Sequence, residues 1–211
     1  MASTSTTNTV FGHLVPQTAA TRIATRITTV LLGSVVLALS AKISVPVLPV
    51  PVTLQTLAVA LLAAAFGARM ALATVALYLV EGLSGLPVFA TGGGLDYVLR
   101  PSFGFLVGYL PMAYIIGAAA DRGWSKSIVK MAGVMLVADA VAFTFGFAWL
   151  LVVANVLLAS GAQLPGWLAA NDLVGTALRG AVLPFIGWDV LKMAFAALSV
   201  AGIWQVLRRK A

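Results

Sequence analysis

Residues 131–159 read MAGVMLVADAVAFTFGFAWLLVVANVLLA, an apolar run from Met131 to Ala159 broken by a single charge, Asp139. A bilayer core is crossed by a helix of about 20 apolar residues. This run is longer, so it reads as a span that tilts or protrudes. Runs of the same character lie on both sides of it, separated by proline, glycine and clustered charge. Toward the N-terminus they are Phe103–Ala120, Met70–Leu83, Val52–Phe66 and Ala24–Ala41, and toward the C-terminus Phe185–Leu207. The pattern predicts an all-α integral membrane protein, a bundle of about six transmembrane helices in one domain over residues 22–211. Residues 1–21, rich in Ser and Thr, are expected to be a disordered polar leader.

Composition agrees. The 211 residues are 61% hydrophobic and 9% charged, with a mean hydropathy of +1.05. Soluble domains are about a quarter charged, so this chain has too few charges to clothe a water-facing surface. Arg22 and Arg26 before an apolar run ending Ala38-Leu39-Ser40-Ala41 imitate a signal peptide. A long polar stretch precedes those basic residues, however, and the run makes a good first span.

The linkers have their own signals. Val45-Pro46-Val47-Leu48-Pro49-Val50-Pro51 is an extended connector, because each proline removes an amide donor and clashes with a preceding helical turn. Gly67-Ala68-Arg69 is a tight turn. Gly82 to Pro101 is a glycine-rich loop, Asp121 to Lys130 a charged turn, and Asn171–Val182 a short surface helix.

The net charge is +7, but the basic residues are scattered between apolar runs rather than gathered into a nucleic-acid-binding patch. Membrane topology accounts for them better. With the N-terminus in the cytoplasm, Arg22, Arg26, Arg69, Arg122, Lys126, Lys130, Arg208, Arg209 and Lys210 fall inside, nine of the 13. Lys42, Arg100, Arg179 and Lys192 fall outside. Both termini are then cytoplasmic. Cysteine is absent and His13 is the single histidine. Thiol catalysis, thiolate metal sites, a Ser-His-Asp triad and a multi-histidine metal site are thereby excluded, and no catalytic or metal-binding residue is assigned.

The four outward basic residues suggest a pocket open to the outside that receives an anionic ligand, with interfacial snorkelling as the alternative. Asp189 and Lys192 are the sharpest pair. They stand three apart on one helix face and offer an acceptor and a donor to a ligand with N–H groups and a carboxylate. A structural ion pair holding the helix end is the competing reading. Gln55, in the first turn after the prolines, carries both a donor and an acceptor, while Thr53 suits a capping role. Gly92-Gly93-Gly94 lets the backbone approach a ligand or take positive φ. Tyr97, Trp188 and Phe89 have rings to pack against one, although Trp188 fits an interfacial belt equally well. Glu81 and Asp139 lie in or near apolar runs and stay outside the site. Ser34 and Ala38, four apart, form a small-residue face expected to meet a partner helix.

Three stretches together resemble the BioY family. They are Val45-Pro46-Val47-Leu48-Pro49-Val50-Pro51-Val52-Thr53-Leu54-Gln55-Thr56, then Gly85-Leu86-Pro87-Val88-Phe89-Ala90 with the glycines at 92–94 and Pro101 beyond, then Leu183-Pro184-Phe185-Ile186-Gly187-Trp188-Asp189-Val190-Leu191-Lys192. Ser102-Phe103-Gly104-Phe105 stands where the family often has Thr-Gly-Gly-Tyr. The resemblance implies a six-helix S component of an energy-coupling factor transporter in the inner cell membrane. Such a subunit binds biotin from outside and works with a transmembrane coupling protein and a pair of ATPases. It carries biotin contact over to Asp189 and Lys192, and to Asp96, Tyr97 and Arg100 at the glycine loop; Gln55, Gly93 and Gly94 complete the candidate lining. Biotin enters as transported ligand, and no cofactor is implied. The chain has no ATP-binding motif, so ATP hydrolysis falls to the partners. The alternatives are an S component for another small vitamin, or a membrane-embedded transferase, for which no nucleophile–base pair is visible.

Overall fold

The computed structural model describes residues 8–14, 19–45 and 50–210. Residues 1–7 and 15–18 of the expected leader, the connector residues Val47 and Leu48 with Pro46 and Pro49, and Ala211 lie outside the described residues, as do the side chains of His13, Arg208, Arg209 and Lys210. In chain order the helices are α1 (Val10–Leu14), α2 (Ala19–Lys42), α3 (Gln55–Phe66), α4 (Ala68–Leu83), α5 (Phe103–Asp121), α6 (Ile128–Ala159), α7 (Leu173–Ala181) and α8 (Leu183–Lys210). Two-residue strands β1 (Ser44–Val45) and β2 (Val52–Thr53) pair antiparallel across the connector, with Ser44 opposite Thr53. Single 3-10 turns cover Leu95–Leu99, Trp124–Lys126 and Ala170–Asp172.

The all-α membrane bundle matches the expectation from sequence, with differences in detail. Among the described residues, four helical stretches are long and apolar enough to cross a membrane: Thr21–Lys42, Phe103–Asp121, Ile128–Ala159 and Ala170–Leu207. The other two expected spans are short. α3 has 12 residues and α4 has 16, or about 18 and 24 Å at about 1.5 Å per residue. α3 starts at Gln55, not Val52, because Val52 and Thr53 are drawn into the strand pair. None of its residues is exposed. It sits against α5, α8, α4 and α2, so its shortness is met by protein rather than lipid.

The described residues 8–14 of the leader include α1, which sits against α3. Thr9 is buried and its hydroxyl accepts from the Gly12 amide at 3.1 Å, starting α1. Asn8 donates to the Asp121 carbonyl at 3.2 Å and accepts from Lys126 at 3.3 Å. The same end of the bundle holds the α3–α4 turn. There the Asp121 carboxylate accepts from the Ala68 amide at 3.1 Å and answers a free donor at the start of α4. Gly67, at φ +82°, leaves no room for a side chain beside that carboxylate. Trp204 of α8 donates to Ser125 at 2.9 Å and lies 4.8 Å from the Lys126 ammonium. Arg69, Arg122, Lys126 and the end of α8 therefore gather at one end, as their grouping in the sequence requires.

Close approach of backbones joins the two central spans. α5 and α6 share the most extensive helix contact. Gly104 and Gly108, four apart on α5, face Trp149, Phe145 and Ala142; a Cβ at 108 would stand 2.8 Å from the Ala142 Cα. Gly146 of α6 receives the Phe105 ring in return. This is small-residue packing of the kind that membrane helices use where no hydrophobic drive separates helix from lipid. Ser34, expected to face a partner, is instead spent inside the chain. It is 1% exposed and donates to Glu81 of α4 at 3.1 Å, while Gly33 beside it packs on Thr74. Ala38 is half-buried against the same core.

Gly108→Leu should disrupt the α5–α6 contact. Overpacking costs about 1–3 kcal/mol, so the unliganded melting temperature in detergent should fall by several degrees. Gly202→Leu on α8, where a Cβ meets nothing within 4 Å, should leave it unchanged.

Candidate functional site

The site is built where α3 begins beside the first turns of α8. Pairing of β1 with β2 brings the chain back from the connector and presents the Thr53 carbonyl and the Thr56 hydroxyl to α8. α8 carries Phe185, Asp189 and Lys192 at spacings of four and three, hence on one face. Lys192 Nζ donates to Asp189 Oδ1 at 2.8 Å, to the Thr53 carbonyl at 2.8 Å and to Thr56 Oγ1 at 3.3 Å. The Thr56 hydroxyl donates to Asp189 Oδ1 at 2.5 Å. The side chains of Asp189 and Lys192 are only 4% and 11% exposed. A buried ion pair is tolerable when further hydrogen bonds saturate its charges, and here the three ammonium donors all have acceptors.

This network forms one wall of a cavity of about 40 Å³, room for about three waters at roughly 10–15 Å³ each. Val50 and Pro51 of the connector close over it. Phe105 and Tyr109 of α5, Asp139, Ala142 and Phe143 of α6, and Phe185 of α8 complete the lining. The arrangement is apolar and aromatic around a fixed carboxylate–ammonium pair. It suits a small ligand with a polar hydrogen-bonding head and an apolar body.

Of the candidate site residues, Asp189 and Lys192 stand together in this cavity, while Gln55, Gly93, Gly94, Asp96, Tyr97 and Arg100 do not line it; Thr53, given a capping role, and Asp139, left outside the site, do. Gln55 is 2% exposed and points into the bundle, where its Nε2 donates to the Tyr78 hydroxyl at 2.7 Å. Tyr78 in turn donates to the Val88 carbonyl at 3.2 Å, so Gln55 ties α3 to α4 and the glycine loop. Thr53 accepts from the Gln55 amide at 3.3 Å. Tyr97 and Arg100 form a second cluster. Tyr97 is buried against Phe89, ring centroids 4.6 Å apart, and its hydroxyl accepts from Thr91 and Ser102 at 3.3 Å each. The exposed Arg100 lies over that ring at 5.3 Å and donates to Thr91 at 3.4 Å. Asp96 is exposed. Gly94, at φ +98°, donates its amide to the Gly82 carbonyl at 2.7 Å, and Gly93 sits against the Leu86 carbonyl. Phe89 is enclosed by Tyr78 and Tyr97, and Trp188 is 61% exposed, so neither ring faces the cavity.

The other two outward cations are engaged elsewhere. Lys42 donates to the Phe89 carbonyl at 2.6 Å, and Arg179 pairs with Asp172 at 2.6 Å on the exposed side of α7. Sequence reasoning passed over Thr56, Tyr109 and the rings of Phe105, Phe143 and Phe185. Their signal was the helical spacing: 105 with 109 and 139 with 143 are four apart, each pair on one face of an otherwise apolar helix.

The chain matches the BioY family model over residues 8–209. A probable biotin transporter BioY of Lysinibacillus sphaericus is 44% identical over 85 residues, 40% of this chain and 43% of that protein, so the match spans less than half of that relative's length. A probable biotin transporter BioY of Pyrococcus horikoshii is 30% identical over 75% of this chain and 83% of its own length. The crystal structure of the S component for biotin from an ECF-type ABC transporter superposes with a TM-score of 0.67 at 20% identity, covering 90% of this chain and 95% of that one. The fold is therefore that of an ECF S component. This chain belongs to the BioY family, as a multi-pass membrane protein of a transporter family, not an enzyme.

The ion pair makes a prediction independent of any ligand. Lys192→Met strands a buried carboxylate, at a cost of about 3–5 kcal/mol. It should lower the unliganded melting temperature more than Asp189→Asn combined with Lys192→Met, because the double variant leaves no unpaired charge. Equal melting of the two would show that the pair does not hold α8 to α3.

Proposed function

We propose that this BioY-family chain is a biotin-binding S component, which takes biotin from outside the cell and hands it on with an ECF module of a transmembrane coupling protein and ATPases. The observation that carries the reading is the buried Asp189–Lys192 pair, pinned by Thr53 and Thr56 and facing a small aromatic cavity. Biotin offers a ureido ring with two N–H donors and one carbonyl, an apolar thioether ring and a carboxylate tail. Asp189 accepts from a ureido N–H. Lys192, whose three donors are already taken up beside Asp189, orients that carboxylate rather than capturing the biotin carboxylate. Phe105, Tyr109, Phe143 and Phe185 surround the apolar rings. A cavity of about 40 Å³ is smaller than biotin, so entry requires the connector at Val50–Pro51 to move outward.

The second cluster supplies the other end. Arg100 uses one of its guanidinium N–H groups on Thr91 and lies open on Tyr97, leaving planar donors for the biotin carboxylate. Asp96, Gly93 and Gly94 shape the loop that carries it, and Gln55 fixes the start of α3. The chain acts as a single domain over residues 22–211.

Orientation follows the same logic. The end of the bundle with Arg69, Arg122 and Lys126 is the cytoplasmic one, and the Asp189–Lys192 cavity at the opposite end opens outward. Both termini are then inside the cell. A reporter fused after Ala211 should score as cytoplasmic; an external signal would reverse the direction of uptake.

Asp189→Asn removes a charged acceptor, a contact worth about 1.5–3 kcal/mol, and should weaken biotin binding by roughly ten- to a hundredfold. Lys192→Met should weaken biotin and biotin amide alike, because Lys192 acts through Asp189. Arg100→Met should weaken biotin and spare the amide, which has no charge to lose. Isothermal titration of the purified chain with both ligands measures all three. Unchanged affinity in both Asp189→Asn and Lys192→Met would remove this cavity as the biotin site.

A further inference from the structure

Among the described residues, the buried polar side chains inside the spans find partners within the chain, with one exception. Thr144 and Ser199 donate to the carbonyl four residues back, at 2.9 and 2.8 Å. Ser34 meets Glu81, and Gln55 meets Tyr78. Asp139 is different. It lies well inside α6, is 6% exposed, and its Oδ1 is buried with no hydrogen-bond partner among the described residues. An unpaired acceptor in such a place is costly, and ionisable residues within spans commonly mark a ligand path.

Its position says what it serves. Asp139 lines the cavity that holds Asp189 and Lys192. With Phe143, one turn further along α6, it also borders a larger apolar cavity of about 400 Å³, set between α6, α7 and α8 and lined by Leu178, Val182 and Ile186. Among the described residues, Asp139 is the single ionisable group bordering that second space. The first space contains two carboxylates and one ammonium, which is already saturated by Asp189, Thr53 and Thr56. The site thus has one acceptor that Lys192 holds in place and a second, Asp139 Oδ1, that no donor among the described residues reaches.

We propose that Asp139 is a ligand-binding residue, the second acceptor of a two-carboxylate clamp: a ligand with paired N–H donors, such as a cyclic urea, is held between Asp189 and Asp139. This rests on the reading of the cavity as the biotin site and adds a specificity device to it. One ureido N–H donates to Asp189 and the other to Asp139. A ligand lacking either donor leaves a carboxylate unanswered and is rejected more strongly than one that merely fits poorly.

The test pairs variants with ligands. Purified full-length Asp139→Asn should bind biotin about tenfold more weakly than the parent chain, and Asp139→Leu at least tenfold more weakly. The unliganded melting temperature of Asp139→Leu should equal or exceed the parent's, since that change removes an unpaired carboxylate rather than a structural bond. The two biotin analogues methylated on one or the other ureido nitrogen should each bind the parent chain poorly. Asp139→Leu should lose little further affinity for one isomer, and Asp189→Asn little further for the other. Biotin affinity within twofold of the parent in Asp139→Leu, with Asp189→Asn still impaired, would overturn the clamp and leave the Asp189 site standing. An Asp139→Leu penalty equal for both methylated isomers would also overturn it. Normal biotin binding by both Asp139→Leu and Asp189→Asn would instead reject the cavity assignment on which the clamp rests.

Discussion

Hydrocarbon supplies no hydrogen bonds, so the polar groups that this chain sinks between its helices are, Asp139 apart, answered from within. Much of the architecture follows from that demand. Gln55, Tyr78 and the Val88 carbonyl form a relay that fixes α3 to α4 and to the glycine loop. The Trp149 indole reaches across to the Val98 carbonyl at 3.0 Å and ties α6 to the segment before α5. Ser34 with Glu81 and Trp204 with Ser125 do the same for α2 with α4 and for α8 with the α5–α6 turn. Each bond joins elements distant in sequence. In a medium where apolar packing alone distinguishes poorly between neighbours, such bonds choose which helix lies beside which.

The Asp189–Lys192 pair belongs to this set and also departs from it. As a structural device it holds the start of α3 against α8 through Thr53 and Thr56. As a site it leaves a fixed carboxylate beside aromatic walls. The alternative of structural ion pair or ligand contact, open from the sequence, is therefore not exclusive. The bonds that stabilise the helix end also hold the acceptor in one orientation, which in the proposed binding role would lower the ordering cost of binding.

How much of this was legible in the sequence depended on whether the signal was local. Hydropathy marked six helices, and the segregation of Arg and Lys grouped Arg69, Arg122 and Lys126, which the fold brings to one end, because both properties are carried by runs of neighbouring residues. Asp189 and Lys192 were visible from their spacing of three. Gln55 was placed in the right turn, but its direction depends on Tyr78, 23 residues away. Ser34 looked like an outward small residue because nothing nearby revealed Glu81. Gly104 and Gly108 carry a close-contact spacing, yet only the opposing Ala142 and Trp149 show what it is for. Asp139 could be noticed in an apolar run; that its Oδ1 lacks a partner among the described residues is a fact of three-dimensional surroundings alone.

The short helix α3 bears on how the protein comes to be made. Twelve residues cannot be recognised during synthesis as a membrane segment by apolar length alone, since a crossing takes about 20. The tight turn at Gly67 joins it directly to α4, so the two enter the bilayer as a hairpin rather than as successive independent segments. α3 then waits for α5 and α8, both synthesised later, to enclose it. The Thr53–Thr56 side of the cavity thus gains its partners late, because Asp189 and Lys192 emerge from the ribosome well over a hundred residues after it. The cavity is therefore closed only once α8 has been made, long after the residues that begin α3.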